Sequence, residues 1–134
     1  MWPVRVYYED TDSGGVVYYA NYLKFMERAR TEWLRERGLE QDRLLEQFGV
    51  IFAVTAVNLN YRAPARFNDA LLVSAEARKV GRASLVFSQQ ILRDGVEPSV
   101  LLCDGEIKVA CLDHRSLRPR PIPEPVYAEI YSED

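Results

Sequence analysis

Positive charge, histidine, cysteine and long apolar runs are all scarce in this chain of 134 residues, and each scarcity removes a class of function. Seventeen lysines and arginines stand against twenty acidic residues, for a net charge of -3. That balance lacks the cationic excess with which nucleic-acid binders neutralise phosphate. The single histidine, His114, and the absence of histidine or cysteine beside Asp10 and Asp12 leave no ligand set for a metal, and no cofactor is expected. The two cysteines, Cys103 and Cys111, lie in one alternating apolar run. In an extended strand their spacing is about 26 Å, so they cannot pair within it. No apolar stretch approaches the roughly twenty residues of a membrane span, and no apolar leader opens the chain. A cytoplasmic location without a transmembrane segment is the expectation.

What is present suits a globular domain: 48% hydrophobic, 28% charged and 11% aromatic residues. A chain of this length can bury about two thirds of its unfolded surface. With no repeat, linker or second core in view, residues 1–134 read as one domain.

Val4-Arg5-Val6-Tyr7-Tyr8 reads as an opening strand, and Glu9-Asp10-Thr11-Asp12-Ser13-Gly14-Gly15 as a loop. Over residues 21–37 the apolar positions Tyr22, Met26, Ala29 and Trp33 recur at helical spacing, widened by Leu23 and Leu34 and stopped by Gly38. Arg28 and Glu32 are spaced to pair on the outer face. A shorter helix is expected over residues 41–48. The period then becomes two. Val57, Leu59 and Tyr61 alternate with polar neighbours, as do Leu71, Val73, Ala75 and Ala77. Residues 83–93 end at the turn signal Asp94-Gly95 and should pair antiparallel with Ile107, Val109 and Cys111. The proline-rich stretch 118–123 cannot be a central strand, and a short helix can follow over residues 124–131. The sum is an α+β fold, an antiparallel sheet packed on one long helix. Its exposed sheet edge favours a homo-oligomer.

The chemistry concentrates where the carboxylate-rich loop leads into the main helix. Amides at a helix start have no intrahelical partner, and the helix dipole favours negative charge there. An ester or thioester hydrolase needs such donors opposite a base or nucleophile, and Asp12 precedes the helix by a few residues.

The run from Val4 to Tyr22, continuing through Phe25-Met26-Glu27-Arg28-Ala29-Arg30, resembles the hotdog-fold acyl-CoA thioesterases of the 4-hydroxybenzoyl-CoA thioesterase type, and within them the Tol-Pal system-associated branch. Tyr61-Arg62-Ala63-Pro64 and Gly81-Arg82-Ala83-Ser84 extend the likeness across most of the chain. The resemblance implies a hotdog fold, the sheet wrapped around the long helix. It also implies a homodimer or homotetramer with its site at the subunit interface, and hydrolysis of an acyl-CoA to free acid and thiol. An acyl carrier protein presents the same arm and is a second thiol carrier. By position the catalytic aspartate falls on Asp12 and the oxyanion NH on Tyr19. Gly15, Val16, Tyr18 and Tyr22 then border the acyl group, and Arg82 with Ser84 the CoA nucleotide. Tyr19 departs from the histidine common in the Tol-Pal branch, so the mechanism cannot require that histidine.

Each residue also has a plainer role. Asp12 can cap local amides, Glu9 and Asp10 can order the loop, and Tyr18 and Tyr22 can simply pack. Glu27 is a reserve catalytic carboxylate, since another hotdog subgroup draws its carboxylate from the helix. Arg62, Arg66, Lys79, Arg82, Arg118 and Arg120 are the basic candidates for CoA phosphates. The rival functions are a non-catalytic acyl-thioester or protein-binding module of the envelope or lipid machinery, and a dehydratase, which would use a histidine.

Overall fold

The computed structural model describes residues 1–131. Six strands form one antiparallel sheet: β1 (Trp2–Arg5), β2 (Val50–Tyr61), β3 (Ala70–Val73), β4 (Glu76–Val80), β5 (Ser84–Arg93) and β6 (Val100–Asp113). The order is β1-β3-β5-β6-β2, with β4 also on β5. Three helices accompany it, α1 (Asn21–Glu36), α2 (Gln41–Phe48) and α3 (Glu124–Tyr131). The expected β5–β6 pairing forms, Phe87 opposite Ile107 and Leu85 opposite Val109.

Helix α1 buries Tyr22, Phe25, Met26, Ala29, Arg30, Trp33 and Leu34, one continuous stripe at helical spacing. That stripe lies against the inward residues of β3, β5 and β6, among them Leu71, Val73, Leu85, Phe87, Ile91 and Ile107. Gly38, at φ 77°, ends the helix where an L side chain would be strained, and the Leu39 NH returns to the Leu34 carbonyl at 2.9 Å. A sheet curled around one central helix is the hotdog arrangement, as the sequence led us to expect.

Three local expectations are corrected. The opening strand is shorter than residues 4–8 and starts earlier. The Asp10 carboxylate accepts the Tyr7 NH at 2.8 Å and draws Tyr8–Asp10 into a single 3-10 turn. The run from Leu71 to Arg78 is two strands. Its register along β5 holds, Val73 opposite Ile91 and Glu76 opposite Ser88, but Ser74 breaks the ladder by accepting the Gln90 NH on its hydroxyl at 2.8 Å. Arg28 does not pair with Glu32, which is engaged by Arg35 one turn on.

Strand β2 is the long free edge. Among the described residues it pairs with β6 alone, with a bulge between Val54 and Ala56. Val54, Val57 and Tyr61 share the face of Val109, Ile107 and Cys103, the face that α1 covers elsewhere, yet each is more than two fifths exposed. The helix ends its cover before reaching this strand. No helix among the described residues is long and apolar enough to cross a membrane.

Candidate active site

The loop before α1 is a tight hairpin. Thr11 bridges Val17, the Asp12 NH donates to the Val16 carbonyl and the Gly15 NH to the Asp12 carbonyl, both at 3.0 Å. Gly15 sits at φ 79°, the left-handed turn that glycine accepts without strain. This fold-back brings Asp12 and Tyr19 to the same end of α1. Asp12 is exposed; its Oδ1 accepts the Gly14 NH at 2.9 Å, and Oδ2 has no partner among the described residues.

The helix start is left open. Its N-cap, Ala20, offers no side-chain acceptor. The amides of Asn21, Tyr22 and Leu23 turn back to the carbonyls of Tyr18, Tyr19 and Ala20, whereas the Tyr19 NH has no acceptor among the described residues. It is a donor at the positive end of a sixteen-residue helix.

Buried Asp10 holds the two parts together. Besides Tyr7, its carbonyl accepts the Tyr18 NH at 3.0 Å and the Asn21 side-chain amide at 3.2 Å, and its Oδ1 lies 3.4 Å from that same amide. Loop-ordering, the plainer reading of Asp10, is what these bonds do. Asn21, the donor on the helix side, carries no sequence signal of its own.

Aromatic rings surround the open amide. Tyr19 lies against Tyr18 (4.9 Å between centroids) and Tyr61 (6.2 Å), and the Tyr61 hydroxyl donates to the Tyr19 carbonyl at 3.3 Å. Tyr19, Tyr22 and Tyr61 join Val17, Arg62, Ala63 and Pro64 around one shallow hollow. Tyr22 is buried beneath it, its hydroxyl accepting the Ala65 NH at 2.9 Å and held un-ionised to higher pH by burial. Val16 bridges Arg66 on the outer side of the loop.

Arg82 and Ser84 are not part of this cluster. Ser84 pairs with Ala110 and Ala110 with Ala53, while Tyr61, beside Tyr19, pairs with Cys103. The seven β6 steps from Ala110 to Cys103, matched on β2 by Ala53 to Tyr61 with its bulge, put them about 23 Å apart along the sheet. Among the basic candidates, Arg62 is bound to Asp104 (3.1 Å) and Arg120 lies near Asp113 (3.5 Å) and donates to the Phe48 carbonyl (2.9 Å). Glu27, the reserve carboxylate, lies well along the helix at the rim of a second hollow.

That second hollow, about 120 Å³ between α1 and the sheet, is lined by Arg30, Thr31, Leu34, Phe52, Val54 and Phe87 among others. Arg30 is nine-tenths buried and donates to the Gln89 side-chain oxygen at 3.0 Å. Gln89, fully buried, donates in turn to the carbonyls of Met26 (3.0 Å) and Ser74 (2.9 Å). Burial lowers the proton affinity of the Arg30 guanidinium and the nearby Glu27 raises it. The sequence offered no signal for this group, because Gln89 lies 59 residues from Arg30.

A sheet curled round one long helix, whose uncapped start follows a carboxylate-bearing hairpin, is an arrangement that a thioesterase can use. The thioesterase superfamily model matches residues 14–99, and the chain belongs to that superfamily. It is similar to the acyl-CoA thioester hydrolase YbgC of Escherichia coli, 44% identical over 96% of this chain and 93% of the relative. The acyl-CoA thioesterase YbgC of Haemophilus influenzae is 42% identical over 97% and 93%. A crystal structure of a probable thioesterase from Bartonella henselae is 30% identical, covers 91% of this chain and 97% of its own, and superposes with a TM-score of 0.84.

Proposed function

We propose that the protein hydrolyses acyl-CoA thioesters, with Asp12 as the reacting carboxylate and the Tyr19 NH as the oxyanion donor. The observation that carries this reading is the unpartnered Tyr19 amide at the uncapped start of α1, on the same hairpin as a carboxylate with one free oxygen. The acyl-CoA substrate follows from the two YbgC relatives.

The thioester carbonyl oxygen accepts the Tyr19 NH, so negative charge developing on it is met by a fixed donor and the helix dipole. In one route the Asp12 carboxylate attacks the carbonyl carbon, the C–S bond breaks, the thiolate leaves and takes a proton from solvent, and water hydrolyses the resulting anhydride. In the other, Asp12 takes a proton from a water molecule as its oxygen attacks the same carbon, and the C–S bond then breaks, the thiolate leaving to take a proton from Asp12 or solvent. Both end in free acid and thiol, and neither uses a histidine.

The working form in this reading is at least a homodimer joined along β2. That strand has unpaired backbone groups and an inward apolar row, Val54, Val57 and Tyr61, left bare by α1. A two-fold pairing centred near Val57 sets the Ala53 end of one strand beside the Tyr61 end of the other. Arg82 and Ser84 of one protomer then approach the Asp12 loop of its partner, which suits a ligand as long as CoA. Gly15, Val16, Tyr18 and Tyr22 border the acyl end. A second pairing into a tetramer, an acyl carrier protein as thiol donor, a cytoplasmic setting and service to the Tol-Pal envelope system belong to the same reading.

The test is thiol release from a panel of short, long and aromatic acyl-CoAs by wild type and Asp12→Asn, both checked for fold and size. We expect Asp12→Asn to lower kcat by about 10²–10⁴. Binding without thiol release by wild type, or equal turnover by the variant, overturns the assignment in favour of a binding module.

A further inference from the structure

The hollow under α1 contains a cation that makes no ion pair among the described residues and feels only the field of the nearby Glu27 carboxylate. Arg30 is nine-tenths buried, yet its only hydrogen bond among the described residues runs to the neutral Gln89 side chain. Glu27, the carboxylate at the rim, is exposed and makes no ion pair with it. Arg30 borders a space whose other walls are mostly apolar, Leu34, Phe52, Val54, Leu85, Phe87 and Val109, with the neutral polar Thr31 and Gln41 beside them and Glu27 at the rim. A buried guanidinium is costly without an anion, and its planar fork fits a carboxylate with two parallel bonds. The group is also held still. Gln89 is fixed from the far side by the Met26 and Ser74 carbonyls, so the orientation of Arg30 is preset.

We infer that Arg30 is a specificity-determining residue, and that the hollow accepts the far end of a compact acyl group carrying an acceptor oxygen, a carboxylate above all. The volume supports a compact occupant: 120 Å³ is somewhat less than the roughly 150 Å³ of an apolar cavity known to take benzene. The inference rests on the thioesterase reading and on the β2 pairing. Within one protomer Arg30 lies about 16 Å along the helix from Tyr19, too far for a short acyl chain. Across the two-fold, the partner's helix start comes to the Phe52–Val54 end, where this hollow lies. One subunit supplies the reacting carboxylate and amide; the other reads the end of the acyl group.

The experiment compares adipoyl-CoA with hexanoyl-CoA, matched in length and differing in the terminal carboxylate, on wild type, Arg30→Met and Arg30→Lys. We expect wild type to favour adipoyl-CoA in kcat/KM by tenfold or more. Arg30→Met should abolish or reverse that ratio and Arg30→Lys should keep part of it. A merely structural arginine would lower both substrates together and leave the ratio where it was. Thermal shift by free adipate against hexanoate gives a readout independent of turnover: adipate should raise the melting temperature of wild type and not of Arg30→Met. A wild type that prefers hexanoyl-CoA, or a ratio unmoved in Arg30→Met, overturns the inference while leaving thioester hydrolysis standing. Selective stabilisation by adipate without thiol release from either substrate overturns the thioesterase reading and keeps the anion site.

Discussion

Tyr19 contributes to the proposed chemistry through its main chain, which separates its side chain from its amide in a way that can be measured. Tyr19→Ala keeps the N–H and should retain most of kcat, whereas Tyr19→Pro removes it and should cost about 10²–10³ in kcat. Steady-state kinetics on acyl-CoA, with circular dichroism to confirm the helix, distinguishes the two. Asp10 is the residue that aims this amide, through the Tyr18 NH and Asn21. Cys103 carries a different prediction. Burial, with the Asp104 carboxylate beside it, pushes its thiol from an ordinary 9.0 up to about 11. The folded state therefore binds this proton more tightly than the unfolded one. Its contribution is fully present below pH about 9, amounts to up to about 2 kcal/mol, and is lost as pH rises towards 11. Denaturant melts at pH 8 and pH 10.5 should show the fall, and Cys103→Ala should reduce it. Burial of Tyr22 and Tyr61 acts with the same sign.

Among the elements, Gly105 marks where β6 and β2 press together. A methyl group there would overlap the Asn58 carbonyl oxygen and come within 2.8 Å of the Leu59 Cα, both backbone. Gly105→Ala should therefore destabilise by about 2 kcal/mol or more, read as a lower denaturation midpoint. Elements differ in how much the sequence discloses. Helix α1 follows from local period and its glycine stop, residues 21–37 on expectation against Asn21–Glu36, and the two short helices expected over residues 41–48 and 124–131 form as Gln41–Phe48 and Glu124–Tyr131. The β5–β6 pairing was legible from alternation flanking Asp94-Gly95. The early end of β1 and the break at Ser74 were not, because each depends on a side chain capturing a main-chain NH, three residues back for Asp10 and sixteen residues on for Ser74. Asp12 and Tyr19 were singled out by a helix-start argument joined to a family likeness. Arg30 needed the tertiary fold: on α1 it reads as one more charge after Glu27 and Arg28, and only Gln89 shows that it points inward.

For the whole molecule, the decisive surface is the bare inward row of β2. Val57→Asp puts a charge where the proposed pairing is apolar and should shift the protein to monomer by light scattering. Thiol release should fall by tenfold or more, since Arg82 and Ser84, proposed for the nucleotide end, would no longer reach the Asp12 loop of a partner. A monomer of undiminished activity would remove the shared site. The hotdog fold and thioesterase membership do not depend on that outcome; they rest on the sheet order and the superfamily match.

The Gln89 amide has a mechanical consequence for such an assembly. Apolar side chains on a helix and a sheet gain nearly as much contact after a small slide as before it, so an oily interface alone is a poor ruler. Gln89, a β5 residue, crosses that interface with one hydrogen bond to the helix carbonyl of Met26, and a second, to the Ser74 carbonyl between β3 and β4, fixes its amide on the sheet side. Axial slippage of α1 would break the Met26 bond within an ångström. A single side-chain amide thus acts as a keyway, indexing the helix to the sheet and with it the reach between an amide at one end of α1 and a neighbour's hollow near the other.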